Sequence, residues 1–134
     1  MALAQRRVTG GLVGLGAVGV LIATTVPAQA ADVELAAHLR PTTSYHQARG
    51  HADYEADHGS HEFEIHLAGV RALHGQRLTV RVHGAFVGTM TVNQYGRAHL
   101  ERHTAVRVRA GNVVRVRTHA GTLVSYGTFY RDHD

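Results

Sequence analysis

The sequence predicts an all-β domain, an antiparallel β-sandwich or partly open barrel of about seven or eight short strands, behind an N-terminal signal peptide. Three observations carry this expectation. Apolar and polar residues alternate with a period of two through most of the chain after Ala31, the pattern of strands with one wet face. Turn signals built on Gly, Asn and His-Gly pairs recur between the alternating stretches. Outside the N-terminal segment no stretch sustains a helical period.

The first thirty residues stand apart from that pattern. Arg6 and Arg7 precede an apolar run from Gly11 to Val26 without a charge, and Ala28-Gln29-Ala30 offers small residues at the positions a signal peptidase reads. Residues 1–30 are therefore read as a signal peptide, with Ala31 as the new N-terminus and residues 31–134 as a single domain. The run is short and glycine-rich for an uncleaved anchor, and export to the cell exterior with no membrane attachment after cleavage is expected. The glycines between Gly10 and Gly19 fall inside this segment and follow no strand, so they form no phosphate loop.

The chain has no Cys, which excludes a thiol nucleophile, a thiolate metal site and any disulfide. Stability must come from the apolar core and the strand ladders. Every basic residue other than His is Arg; without Arg6 and Arg7, twelve Arg face ten acidic residues, a net charge of +2.

Val33 to Arg40 alternates, with Val33, Leu35, Ala37 and Leu39 on one face, and Pro41 ends it. Arg49 to Asp57 follows, with Ala52, Tyr54 and Ala56 inward. A turn at His58-Gly59-Ser60 leads into His61 to Leu67, where Phe63, Ile65 and Leu67 face the core. Leu78 to Leu100 reads as a three-stranded meander with turns at His83-Gly84 and Gln94-Tyr95-Gly96. In its middle strand Phe86 and Met90 point one way, and Val87, Thr89 and Thr91 the other. Val106 to Arg109 and Val113 to His119 are expected to form a hairpin across Ala110-Gly111-Asn112, with four valines inward and four arginines outward. Thr122 to Arg131 is the last strand, with a bulge expected at Tyr126-Gly127.

The run V-x-V-x-G-x-x-V-G-T-x-x-V-x-x-x-G-x-A-x-L spans Val80 to Leu100. Gly50, Ala52 and Tyr54 precede it, and A-G-N-x-V-x-V from Ala110 and Gly127-Thr128-Phe129 follow. Together these resemble small exported bacterial β-proteins of unknown function, over most of residues 33 to 130. Two departures stand out: Asn112 occupies a position where related sequences tend to carry Asp, and Tyr126 separates Ser125 from Gly127. The shared positions are turn glycines and core residues, so the resemblance implies a fold and no activity.

Histidine is the compositional oddity, with twelve, all beyond the signal peptide. His58 and His61, flanked by Asp57 and Glu62, are the candidate metal ligands: two imidazoles across a tight turn, with a carboxylate as third donor, suit Zn²⁺ or Cu²⁺. No other cofactor is implied. His51, His66, His83 and His99 are expected on wet faces. Asp57, Glu55 and Asp53 are expected across the hairpin from Glu62, Glu64 and His66, in that order, with Arg81 and later arginines neutralising them as cross-strand pairs.

A solvent-facing ladder of this kind offers neither the raised pKa nor the enclosed pocket that carboxylate catalysis uses. No Ser stands in a nucleophile-elbow context, so no catalytic residue is assigned. Arg107, Arg109, Arg115 and Arg117 form the candidate polyanion-binding face, toward extracellular or cell-wall polyanions. That hairpin lacks aromatic stacking partners, which argues against specific nucleic-acid binding. The expected function is that of a non-enzymatic extracellular binding or structural module. A histidine-based extracellular metal-binding protein is the alternative.

Overall fold

The computed structural model describes residues 32–132. The expected signal peptide and its cleavage site at Ala28-Gln29-Ala30 lie outside the described residues. Within them the chain forms β1 (Val33–Leu39), β2 (Arg49–Asp57), β3 (Ser60–Ala68), β4 (Arg77–Val82), β5 (Ala85–Thr91), β6 (Ala98–His103), β7 (Val113–Thr118), β8 (Leu123–Thr128) and β9 (Tyr130–Arg131). A 3₁₀ turn at Arg71–Leu73 precedes β4. No helix among the described residues is long and apolar enough to cross a membrane.

The strands make two antiparallel sheets, one of five strands in the order β6-β3-β2-β1-β9 and one of four in the order β5-β4-β7-β8. They are joined at one corner by a bridge between Arg40 and Tyr126, so the architecture is a sandwich rather than a closed barrel. The alternating residues of the two inner faces fill the space between the sheets. Tyr54, Phe63, Ile65 and Leu67 come from the larger sheet; Leu78, Val80, Val114 and Val116 come from the smaller one. Phe129, between β8 and β9, packs its ring edge-on against Phe63 at 6.3 Å, where the chain passes from one sheet to the other.

Two hairpins turn on a His-Gly pair. His58 and Gly59 have φ of 52° and 83°, and His83 and Gly84 of 51° and 84°. Positive φ at both central residues matches the twist of the flanking strands, as in a type I′ turn, and His tolerates that region better than most side chains. The first turn pairs Asp57 with Ser60, which fixes the β2–β3 register through His51 opposite His66. Gly50 lies close against β3: a Cβ there would sit 2.0 Å from the His66 carbonyl oxygen, so a side chain would push the strands apart.

Four expectations are corrected. The Leu78–Leu100 stretch is not a three-stranded meander: β4 and β5 pair, but β6 crosses to the other sheet and pairs with β3. The Asn93 side chain redirects the chain there, its Oδ1 accepting from the N–H groups of Tyr95 and Arg97 at 2.9 and 3.0 Å. Val106 to Arg109 forms no ladder with Val113 to His119, because both edges of β7 are taken by β4 and β8. Val108 is still buried and Val106 half-buried.

The other two corrections are bulges. The β4–β5 register shifts so that Val80 faces Gly88 and Arg81 faces Phe86, leaving Val87 as the extra residue. Val87 and Met90 are consequently both buried while Phe86 is 50% exposed. In β8 the bulge falls at Val124 rather than Tyr126-Gly127, since Val116 faces Ser125 and Arg117 faces Leu123. Val124 and Ser125 are both buried there, and the Ser125 hydroxyl donates to the Arg40 carbonyl at 2.6 Å.

Candidate metal centre on the five-stranded sheet

The register of the five-stranded sheet converts a scatter of histidines into a row. His38 lies opposite His51, His51 opposite His66, and His66 opposite His99, so four imidazoles stand side by side on the outer face across β1, β2, β3 and β6. The rings of His51 and His66 stack at 5.0 Å, and those of His66 and His99 at 4.3 Å. At the β1 end the Tyr130 hydroxyl and His38 Nε2 lie 3.2 Å apart.

The adjoining row is acidic: Asp53, Glu64 and Glu101 lie across β2, β3 and β6. Beyond it come Glu34, Glu55 and Glu62 across β1, β2 and β3. The two rows meet at Glu64. The Nε2–H groups of His66 and His99 both point at Glu64 Oε2, at 2.8 and 3.3 Å. These bonds hold the Glu64 carboxyl below its ordinary pKa; the His66 bond has the larger effect, against an opposing contribution from burial. Its neighbour Asp53 is pushed the other way, first by burial and then by the charges of Glu64 and Asp132. His51 Nε2 reaches Asp53 at 3.6 Å.

Glu64, His66 and His99 each offer one donor atom, all within 4.8 Å of one another. Zinc–nitrogen and zinc–oxygen bonds of about 2.1 Å at tetrahedral angles place ligand atoms roughly 3.4 Å apart. An ion held by these three atoms therefore requires the His66–Glu64 distance to open by about 0.6 Å. Both ligand residues of β3 belong to a strand paired on each side, and the stacking on His51 steadies the His66 ring. All three side chains remain accessible from solvent, which leaves an ion an entry path.

The candidates His58 and His61 are placed differently. His58 is exposed in the turn against Asp57 and joins a cluster with Asp57 and Asp32. The Asp32 carboxyl is raised by its hydrogen bond with Asp57. His61 shares the inward face of β3 with Phe63 and lies against the Tyr54 ring at 6.1 Å. The geometry thus gathers His58 with two carboxylates and does not bring it together with His61.

Arg115 and Arg117 lie on the outer face of β7, whereas Arg107 and Arg109 belong to the unladdered segment before it. Arg115 instead stands between Arg81 on β4 and Tyr126 on β8, and Arg81 faces Phe86 with its guanidinium 5.6 Å from the ring centre. The aromatic neighbours missing from the expected hairpin are thus supplied by adjacent strands. Arg81 cannot neutralise the acidic hairpin because it belongs to the other sheet. Among the described residues, every ion pair to a carboxylate within 4.0 Å is made by a histidine.

The Glu64–His66–His99 group was missed because it depends on two registers. A two-residue turn at His58-Gly59 would have given His51 opposite His66 from the sequence. No local signal announces that β6, three elements later, lies beside β3. No protein-family model matches the chain, and a comparison with curated proteins also finds no match.

Proposed function

We propose that this domain is an exported, non-enzymatic binding module that holds a divalent transition-metal ion, Zn²⁺ or Cu²⁺, on the outer face of its five-stranded sheet. Glu64, His66 and His99 are the ligands, and water fills the fourth position. The convergence of two imidazole Nε2 atoms on one carboxylate oxygen carries this reading. Two nitrogen donors and one oxygen donor suit these ions, whereas Ca²⁺ and Mg²⁺ favour oxygen-only shells. The flat, open face supports binding rather than catalysis. The N-terminal segment read as a signal peptide supports export.

The test is thermal unfolding of the untagged mature domain with and without ZnCl₂ or CuCl₂. Free ion at a hundred times Kd adds about 2.7 kcal/mol of stability, which for a domain of this size raises Tm by roughly 10 to 20 °C. The joint change His66→Gln and His99→Gln should abolish the rise, and His58→Ala with His61→Ala should leave it intact. Acid should weaken the effect, because only neutral imidazole ligates. Unchanged melting with excess of either ion, or loss of the effect with the His58 and His61 changes alone, would overturn the assignment.

A further inference from the structure

Charge on this chain is sorted by sheet. Strands β4, β5, β7 and β8 contain no acidic residue. On their outer face Arg81 lies directly opposite Arg115, with Arg117 one step along β7. The outer face of the other sheet carries two adjoining rows of carboxylates, Glu34–Glu55–Glu62 and Asp53–Glu64–Glu101. Among the described residues no arginine lies within 4.0 Å of a carboxylate. Like charges set directly opposite one another across strands destabilise a sheet. This molecule does so on both faces and neutralises neither arginine nor most carboxylates internally.

We infer that copies of this domain stack face to face, the acidic face of the five-stranded sheet of one copy lying on the arginine face of the four-stranded sheet of the next. Both halves of the contact are present in every molecule, and their spacings agree. Neighbouring strands lie about 4.8 Å apart in any sheet, so Arg81 and Arg115 present guanidiniums at the interval at which Glu55 and Glu62 present carboxylates. Arginine forks bind such carboxylates through paired hydrogen bonds. Phe86 and Tyr126, 50% and 36% exposed at the two ends of the arginine row, would be covered in the same contact.

The two faces differ, so the contact is heterologous and leaves a free face at each end of a stack. It builds open chains rather than a closed dimer. A four-stranded face roughly 20 Å on a side gives about 400 Å² per partner, about 800 Å² in all, below the roughly 1,200 Å² at which stable specific interfaces begin. The association is therefore weak, and it is salt-dependent because it is largely ionic.

Sedimentation velocity of the mature domain tests this, from 10 μM to 1 mM (roughly the range of weak association), with EDTA present to remove metal bridging. In about 20 mM NaCl the weight-average sedimentation coefficient should climb with concentration past that of a dimer; in about 500 mM it should stay at the monomer value. The joint change Arg81→Glu with Arg115→Glu should give monomers, as should Glu55→Arg with Glu62→Arg. An equimolar mixture of the two variants should associate again. Monomers at every concentration in low salt, or association that ignores salt and both variants, would overturn the inference. Wild type that stays monomeric but binds heparin through Arg81 and Arg115 would put a polyanion in the place of the second copy and equally overturn it. Zinc binding is read out separately, so failure here leaves the metal centre standing.

Discussion

Replacing Glu55 with Lys should make the domain more stable, an unusual result for a charge reversal in the middle of a sheet. Glu55 is flanked across the strands by Glu34 on one side and Glu62 on the other. Its carboxyl is raised by burial first and by the charges of Glu34 and Glu62 after it. Cross-strand charge pairs are worth roughly 0.2 to 1 kcal/mol each, and solvent screening at this exposed position favours the lower half of that range. Glu55→Gln removes two repulsions, about 0.6 to 1 kcal/mol; Glu55→Lys adds two attractions, for a total near 1.5 kcal/mol. In a domain of about 100 residues the Lys variant should melt roughly 6 to 12 °C higher at pH 7 and low salt, and the Gln variant about half as far.

The pH dependence has a definite sign. A raised folded-state pKa means that the folded protein holds this proton more tightly than the unfolded chain. Wild type therefore gains stability as pH falls through the raised value, and the gain is complete below the unfolded value of about 4.3. The advantage of the Lys variant should accordingly shrink between pH 7 and pH 4. It should also fall by more than half at 0.5 M NaCl, where the screening length is below about 5 Å. Thermal denaturation followed by circular dichroism at the two pH values and two salt concentrations is sufficient. A Lys variant no more stable than wild type at pH 7 and low salt would refute the like-charge reasoning for this face.

Two further outcomes are expected. Val87→Ala should cost about 2 kcal/mol by removing buried carbon and leaving a cavity, whereas Phe86→Ala should cost less than about 1 kcal/mol, mostly its contact with Arg81; urea titration of both variants checks the bulge, and the reverse order would place the bulge elsewhere. Intact mass of secreted protein should begin at Ala31, and recovery of chains that retain residues 1–30 in a membrane fraction would remove the export reading.

The fold was legible wherever one face of a strand is wet and the other dry. The β2 segment has the bounds expected from Ala52 and Tyr54 alternating with His51, Asp53 and Glu55, and β1 and β3 differ from expectation by a residue or so at their ends. The reading failed where the alternation breaks for a physical reason. At Val87 and Val124 an extra residue turns two near neighbours inward, so a strict period of two assigns Phe86 to the wrong side. At Val106 and Val108 the alternation is real but serves packing without a ladder, and apolar spacing alone cannot distinguish the two. The candidate metal centre was only half legible: Glu64 and His66 share one strand face two residues apart, but His99 reaches them through a sheet crossing that no local residue encodes.

The outer face of the five-stranded sheet is a poor design for stability alone. Eight of the ten side-chain carboxylates in the chain stand on its strands or on Asp132 just after β9, while the four strands of the other sheet hold none. A single exchange of Glu55 for a base would relieve part of the cost, yet the acidic rows are intact. Surfaces that give up stability in this way are commonly those held for binding. The two proposed uses of this face draw on different parts of it. The ion is held where the histidine row meets Glu64; the stacking contact needs Glu55 and Glu62 in the next acidic row, where His103 lies opposite Glu62 on β6. Glu55→Lys should therefore stabilise the fold, weaken association and leave the zinc-induced melting shift in place. A change in all three together would mean that the face works as one site, with the metal ion itself organising the carboxylates around it.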